Sequence, residues 1–387
     1  MKRRSGAPGS GGLTPIHASQ FPLDGYRAIA RAFTLVEMLV AVTVLTILIL
    51  ITTEIVANTS RMISSSNKMQ SADEQARMTF DRLSTDIANL VRRPDLDAIF
   101  PKQTGNDQLF FYSEAPAYFD TSNSSLFPGS NNPDPKNPLS LIGYRINSSY
   151  QLERLGLGLT WDGTTPPGSV VFLSYLNGLI DPKSTLPGAY PEEIGSAPSY
   201  NGSDTTYWQA MAAQVFRLEI CFLLNDGTLS TIPMVDPNPN NSNTNLPSDN
   251  IAAAGPPSVS TDSSAGYSTG SRWFDTVASR GYICLNNSLG AAVWQPLGAR
   301  DVRAIVVAIA VLDETSQKIV TSSQIASLAG KLPDEAATDL TSTPPVLMLQ
   351  KWQALLQSPS FATAAGIPAQ AASFVRVYQR YFYFNAP

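Results

Sequence analysis

Histidine is almost missing from this 387-residue chain: the only one is His17, ahead of the first predicted element. The folded body therefore lacks Ser-His-Asp and Cys-His catalysis, histidine-containing metal sites and histidine-based pH switching. Cysteine is scarce, with Cys221 and Cys284 alone, so at most one disulfide can form. Basic residues are in the minority, 26 Lys and Arg against 31 Asp and Glu, and a formal net charge of −5 makes nucleic acid an unsuited partner. No phosphate-binding glycine loop, HExxH helix or EF-hand loop occurs, and no spacing singles out a carboxylate pair. These absences point away from an enzyme and leave no cofactor or metal to place.

What the chain does have is one long apolar run, Phe33 to Val56, carrying no charge between Met38 and Ile51. Its length matches the ~20 residues of a membrane-spanning helix. One residue breaks it, Glu37, and a carboxylate inside such a helix calls for a partner or a function. Upstream, Lys2, Arg3, Arg4, Arg27 and Arg31 face one acidic residue, Asp24, which is the basic flank of a segment whose N-terminal side stays cytoplasmic. An ordinary signal anchor with Glu37 near the interface is the plain alternative. A cleaved secretory signal fits less well, because the run is long and no A-x-A-like site follows it.

The residues Arg31-Ala32-Phe33-Thr34-Leu35-Val36-Glu37 resemble the prepilin cleavage and methylation site of type IV pilins and type II secretion pseudopilins. The resemblance implies cleavage by a prepilin peptidase between Ala32 and Phe33, N-methylation of Phe33, and an assembly role for Glu37 at the fifth mature position. Ala32 stands where that family usually has Gly, and is itself small. In a filament core the α-ammonium of one subunit would meet the Glu37 carboxylate of a neighbour, and because a buried unpaired charge is expensive, that pairing sets the register. Removal of residues 1–32 takes five basic residues and one acidic one, along with His17, and moves the formal charge from −5 to −9.

Four regions follow: a leader at 1–32, a transmembrane or filament-core helix at 33–56, an amphipathic helix half at 57–93, and a β-rich globular domain at 94–387. No Gly or Pro interrupts Ile55 to Arg93, so the helix should continue until Pro94 and reach roughly 90 Å at 1.5 Å per residue. Met69, Ala72, Ala76, Phe80, Leu83, Ile87 and Leu90 recur at three- and four-residue steps, a stripe for packing on the globular domain. Strands are predicted at Leu109–Tyr112, Leu141–Ile146, Tyr150–Leu155, Val170–Leu173 and Phe216–Phe222, the last alternating with Arg217, Glu219 and Cys221 and so having one buried face. Leu229–Met234 returns from the turn at Asn225–Thr228, and Gly281–Leu285 resumes after it. Val302–Leu312 suits a central strand buried on both faces. Stretches near 119–140 and 235–271, rich in Asn, Ser, Pro and Gly, read as flexible insertions.

The order of long helix, short strand, GYRI strand and LERL strand resembles the J-type minor pseudopilin of type II secretion, with Leu152 and Arg154 matching its L-x-R segment. Added helices at Ser323–Leu332 and Val346–Leu356 and an aromatic strand at Phe374–Phe384 exceed that pattern. The stretch from the leader through the GYRI strand, together with the VRVYQRYFYF ending, more closely resembles the Verru_Chthon cassette protein C family, itself pilin-like.

Cys221 and Cys284 either bridge or remain buried free thiols, since sequence does not fix their distance. Tyr378, Tyr381, Phe382, Tyr383 and Phe384 favour sheet packing or subunit contact over ligand stacking. The expectation is an α+β pilin-like fold: a long N-terminal helix on a mostly antiparallel β-sheet, with long loops and added C-terminal helices. Its expected role is a structural minor pseudopilin in a short pseudopilus, single-pass in the inner (cytoplasmic) membrane with its globular domain periplasmic or otherwise extracytoplasmic. The implied partners are the prepilin peptidase, other pilin-like subunits, and indirectly an assembly platform and ATPase. The alternative is a membrane-anchored surface module binding substrate, glycan or secreted cargo through its loops.

Overall fold

The computed structural model describes residues 34–92, 98–118, 136–158, 175–176, 179–180, 208–236 and 249–384. The chain divides into two units, residues 1–62 and 63–387. Helix α1 (Leu35–Ala88) begins in the first and ends in the second. In the first unit its large apolar side chains from Leu35 to Val56 are about half exposed or more.

In the second unit α1 becomes amphipathic, burying Ala72, Ala76, Thr79, Phe80, Leu83, Asp86 and Ile87. The stripe read from the sequence is therefore the packing face, except that Met69 is 40% exposed. Each large apolar side chain in it contributes about 1.5–3 kcal/mol on burial. The helix stops at Ala88, short of the expected Arg93, because the β-sheet captures its last residues. The Asn89 side chain caps the Thr85 carbonyl at 2.7 Å, Leu90 bridges Ser113, and Val91 N–H donates to the Tyr112 carbonyl at 2.9 Å.

The strands are β1 (Ala98–Ile99), β2 (Leu109–Ser113), β3 (Ala117–Tyr118), β4 (Lys136–Asn137), β5 (Ser140–Ile146), β6 (Leu152–Gly158), β7 (Tyr175–Leu176), β8 (Leu179–Ile180) and β9 (Trp208–Ala212). They continue as β10 (Val215–Leu224), β11 (Leu229–Ser230), β12 (Asn250–Ala253), β13 (Arg272–Asp275), β14 (Arg280–Asn286), β15 (Val293–Pro296), β16 (Val302–Leu312) and β17 (Val375–Tyr383). Short helices α2 (Glu314–Gln317), α3 (Ser322–Gly330), α4 (Ala337–Leu340), α5 (Met348–Leu356), α6 (Phe361–Ala365) and α7 (Ala369–Ala372) fill the interval between β16 and β17.

Three main sheets result, in orders β1-β2-β5-β6-β9, β11-β10-β16-β17 and β12-β13-β14-β15. The first two are antiparallel throughout and share one core with α1, in which Phe80, Leu83 and Ile87 meet Phe111, Ile142 and Tyr144 from one sheet and Leu218, Ile305 and Val307 from the other. On the far face of the second sheet, Phe216, Ala308 and Ala310 pack under Ile325, Leu328, Met348, Trp352 and Phe361 of the C-terminal helices. A long apolar N-terminal helix on antiparallel sheets with added C-terminal helices is the α+β pilin-like architecture expected from sequence.

Three further expectations change. Strand β10 is buried on both faces, not one, because the C-terminal helices cover the face carrying Arg217, Glu219 and Cys221. The return strand expected over Leu229–Met234 is the two-residue β11. Residues 249–271, within a stretch read as a flexible insertion, carry β12 and a short 3-10 turn held by specific bonds. Trp273 and Trp294 indole N–H groups donate to the Gly255 and Thr261 carbonyls at 2.7 and 2.9 Å, and Tyr267 packs its ring against both indoles. The remaining expected insertion residues 119–135 and 237–248, and the predicted strand at 170–173, lie outside the described residues.

Candidate functional site: the N-terminal helix and its anchorage

Helix α1 starts with a reciprocal cap. Thr34 N–H and hydroxyl donate to Glu37 Oε2 at 2.9 and 3.0 Å, while Glu37 N–H donates to Thr34 Oγ1 at 3.2 Å. This is the capping box of the S/T-x-x-E pattern, which satisfies two donors that the first turn leaves without partners. The pattern Thr34-Leu35-Val36-Glu37 immediately before an apolar run was its signal in the sequence. Glu37 thus has a partner within its own chain. Ala32 and Phe33, the residues flanking the expected cut, lie outside the described residues.

Beyond the cap, the polar side chains of the apolar run turn inward on their own helix. Thr43, Thr46, Thr52 and Thr53 hydroxyls donate to the carbonyls of Leu39, Val42, Leu48 and Ile49 at 2.7–2.9 Å. In hydrocarbon every polar hydrogen needs an internal acceptor, and this back-bonding supplies it. By length and composition the 54-residue helix is long and apolar enough to cross a membrane.

At its other end, α1 is fastened by buried charge. Asp86, fully buried, accepts from Arg154 Nη2 at 3.0 Å and from Arg154 Nε, and also from the Tyr144 hydroxyl; Arg82 adds a contact at 3.5 Å. Burial and the neighbouring Asp86 keep the Tyr144 phenol well above its ordinary range. Burial alone would lower the Arg154 guanidinium, but the Asp86 hydrogen bonds outweigh it and hold it charged. Arg154 is therefore the partner that locks α1 to the first sheet.

The aromatic C-terminal strand divides by parity. Tyr378, Arg380 and Phe382 face α1, through Tyr378 hydroxyl to Asp73, Arg380 to Asp81 at 3.2 Å, and Phe382 against Phe80 at 5.9 Å between ring centroids. Phe384 lies under the Arg92 guanidinium. Tyr381 and Tyr383 stack on each other at 6.1 Å.

A second charged cluster clamps the C-terminal helices to β10. Lys102 Nζ donates to Asp107 and Glu219, both at 2.6 Å, and to the Ile220 carbonyl at 2.7 Å. Arg217 donates to the Leu332 carbonyl at 3.3 Å, pairs with Glu219 at 3.2 Å and with Asp334, and lies over the Trp352 ring. Burial raises the Asp107 carboxyl to about 7, against the pull of Lys102 and with a push from Glu219. Burial lowers Lys102, but Asp107 and Glu219 together leave it above the usual lysine range. Among the described residues no group of three or more His, Cys, Asp or Glu side chains is placed to hold a metal ion.

Cys221 and Cys284 are separate free thiols, both buried. They sit on β10 and β14, strands of different sheets, and are not bonded to each other. Burial, with Glu335 adding to it, pushes the Cys221 thiol up to about 12.

No curated protein and no solved structure matches this chain. One family model does: residues 27–53 match the prokaryotic N-terminal methylation motif, the stretch that holds Ala32, Phe33, the Thr34–Glu37 cap and the apolar half of α1. With the motif, the membrane-length helix and the α+β body on one chain, the protein is similar to type IV pilin-like proteins and carries their N-terminal processing signature.

Proposed function

We propose that this chain is a pilin-like structural subunit, cut by a prepilin peptidase between Ala32 and Phe33, methylated on Phe33, and assembled through α1 into a short pseudopilus as a minor subunit. The observation that carries the reading is the methylation motif over residues 27–53, whose described part from Leu35 onward lies on a helix with its large apolar side chains uncovered. Before assembly that surface sits in the inner membrane, with the globular body on the extracytoplasmic side. In the filament, neighbouring α1 helices cover it. Assembly energy comes from an assembly platform and ATPase, so the role of this chain is mechanical. The system it serves is of the J-type minor pseudopilin or Verru_Chthon cassette kind, the families its sequence resembles.

Within this reading Glu37 has two tasks, capping its own helix and pairing with the amine of a neighbouring Phe33. Two substitutions separate them. Gln keeps the cap, because Gln serves at this position of a capping box, but removes the charge. Val at Thr34 removes the cap and keeps the charge. Charge pairing predicts that Glu37→Gln is processed normally yet lost from the filament fraction, while Thr34→Val is still incorporated. Normal incorporation of Glu37→Gln would refute the pairing role.

A further inference from the structure

Sheet edges are templates for another strand, and proteins usually blunt them with short strands, bulges, Pro or Lys. Most edges here are blunted. Strands β1 and β11 have two residues each, β9 is joined to β6 through a register shift, β12 pairs irregularly with β13, and β15 has four residues ending at Pro296 and a shifted register against β14. Strand β17 is different. It pairs with β16 over nine residues with unbroken register and contains no Pro or Lys; of its two charged residues, Arg376 and Arg380, the second is paired with Asp81 of α1.

The direction of its free groups follows from one bond. Phe384 N–H donates to the Arg303 carbonyl at 3.0 Å, extending the register in which Tyr383 faces Ala304. Alternation in an antiparallel ladder then points the N–H and C=O of Phe382, Arg380, Tyr378 and Arg376 towards β16. The same groups of Val375, Val377, Gln379, Tyr381 and Tyr383 point outward, and no described strand pairs with them. The Gln379 side chain is engaged with Leu349 N–H at 3.2 Å, which leaves its backbone for the edge. At the end of the row, Tyr383 is 58% exposed and stacked on Tyr381, a flat apolar ledge beside the open rungs.

Alternating outward N–H and C=O groups match the backbone of an extended chain, so the edge chemistry names its ligand class. A second copy paired antiparallel through the same edge does not fit. Contacts of Lys68 with Phe374, Asp73 with Tyr378, Phe80 with Phe382 and Arg92 with Phe384 show α1 running in the same direction as β17. Antiparallel pairing of two β17 edges would set two α1 helices in opposite directions, whereas helices anchored in one membrane with one topology share a direction. The edge also runs beside the exposed face of α1 at Arg77 and Asp81, where a neighbour packed along the helix would arrive.

We propose that the open β17 edge is completed by an extended segment of a neighbouring pilin-like subunit, adding a strand to the β11-β10-β16-β17 sheet. This rests on the pilin-like reading above. The test is hydrogen exchange at single-amide resolution on full-length protein, in native assemblies and after dispersal in detergent. The amides of Val377, Gln379 and Tyr381 should exchange at least about tenfold more slowly in the assembly, while Tyr378, Arg380 and Phe382 stay protected in both. Val377→Pro removes an outward N–H and spares the β16 ladder. It should keep the even-numbered amides protected and reduce incorporation. Equal exchange of the outward amides in a processed, assembled protein overturns the edge proposal alone. Protection that persists in dispersed protein with the mass of two copies assigns the edge to a second copy and overturns it too. A protein that retains residues 1–32 and never assembles overturns the pilin-like reading and this proposal together.

Discussion

Replacing Asp86 by Ala should loosen α1 from the sheet more than any other single polar change. The Asp86 side chain is fully buried and that of Arg154 is 13% exposed, so the variant leaves a nearly buried guanidinium and the Tyr144 hydroxyl without their acceptor. Breaking a buried pair from one side costs about 3–5 kcal/mol, and an orphaned buried hydroxyl about 1–3. The two overlap, so about 4–6 kcal/mol is expected, a large part of the roughly 5–15 kcal/mol of a whole domain. The assay is urea unfolding of the full-length protein in mild detergent, followed by tryptophan fluorescence. Arg154→Met in the Asp86→Ala background should recover much of the loss, because an apolar replacement removes the unpaired charge. A double-mutant coupling of at least about 2 kcal/mol is predicted. A loss under about 1 kcal/mol, or coupling under about 0.5 kcal/mol, would show that the Asp86–Arg154 pair does not hold the helix.

Other predictions concern the core, the charged clamp and the thiols. Leu83→Ala, at a position with no exposure, should cost about 2–5 kcal/mol in the same assay. Arg217→Ala should cost about 1.5–3 kcal/mol, since it removes the charged hydrogen bonds to the Leu332 carbonyl and to Asp334 while Lys102 still pairs with Glu219. For Asp107 the sign follows from its raised carboxyl: the stabilisation is complete below its ordinary value of 3.8 and is lost as pH rises through about 7. Asp107→Asn should therefore flatten the pH dependence of stability between those values, and an unchanged slope would assign it to another group. Both thiols should resist an aromatic disulfide reagent in the native protein and react once it is unfolded, with no mass change on prior reduction.

Much of the fold was legible because its signals are local. The period-2 alternation of β10, the apolar run of β16 and the three- and four-residue stripe of α1 each depend on residues close in sequence. What was hidden depends on distant partners. Arg217 and Glu219 looked solvent-facing, since nothing near them announces Lys102, Asp334 or the helical layer. The early end of α1 depends on Leu90 and Val91 meeting Ser113 and Tyr112 across the turn. Order in residues 249–271 comes from indole N–H groups finding backbone carbonyls, in a stretch whose composition reads as loop. At the site the capping pattern Thr34–Glu37 was visible but overshadowed by the charge role of Glu37, a reminder that a carboxylate near a helix start has a local explanation to consider first.

The measurement closest to the central claim is the N-terminal mass of the protein purified from its own membranes, read on the first peptide. Processing as a pilin-like subunit predicts a chain that begins with N-methylated Phe33 and lacks residues 1–32. A chain that keeps those residues would be an ordinary membrane anchor, and assembly into a filament would have to be abandoned as its function.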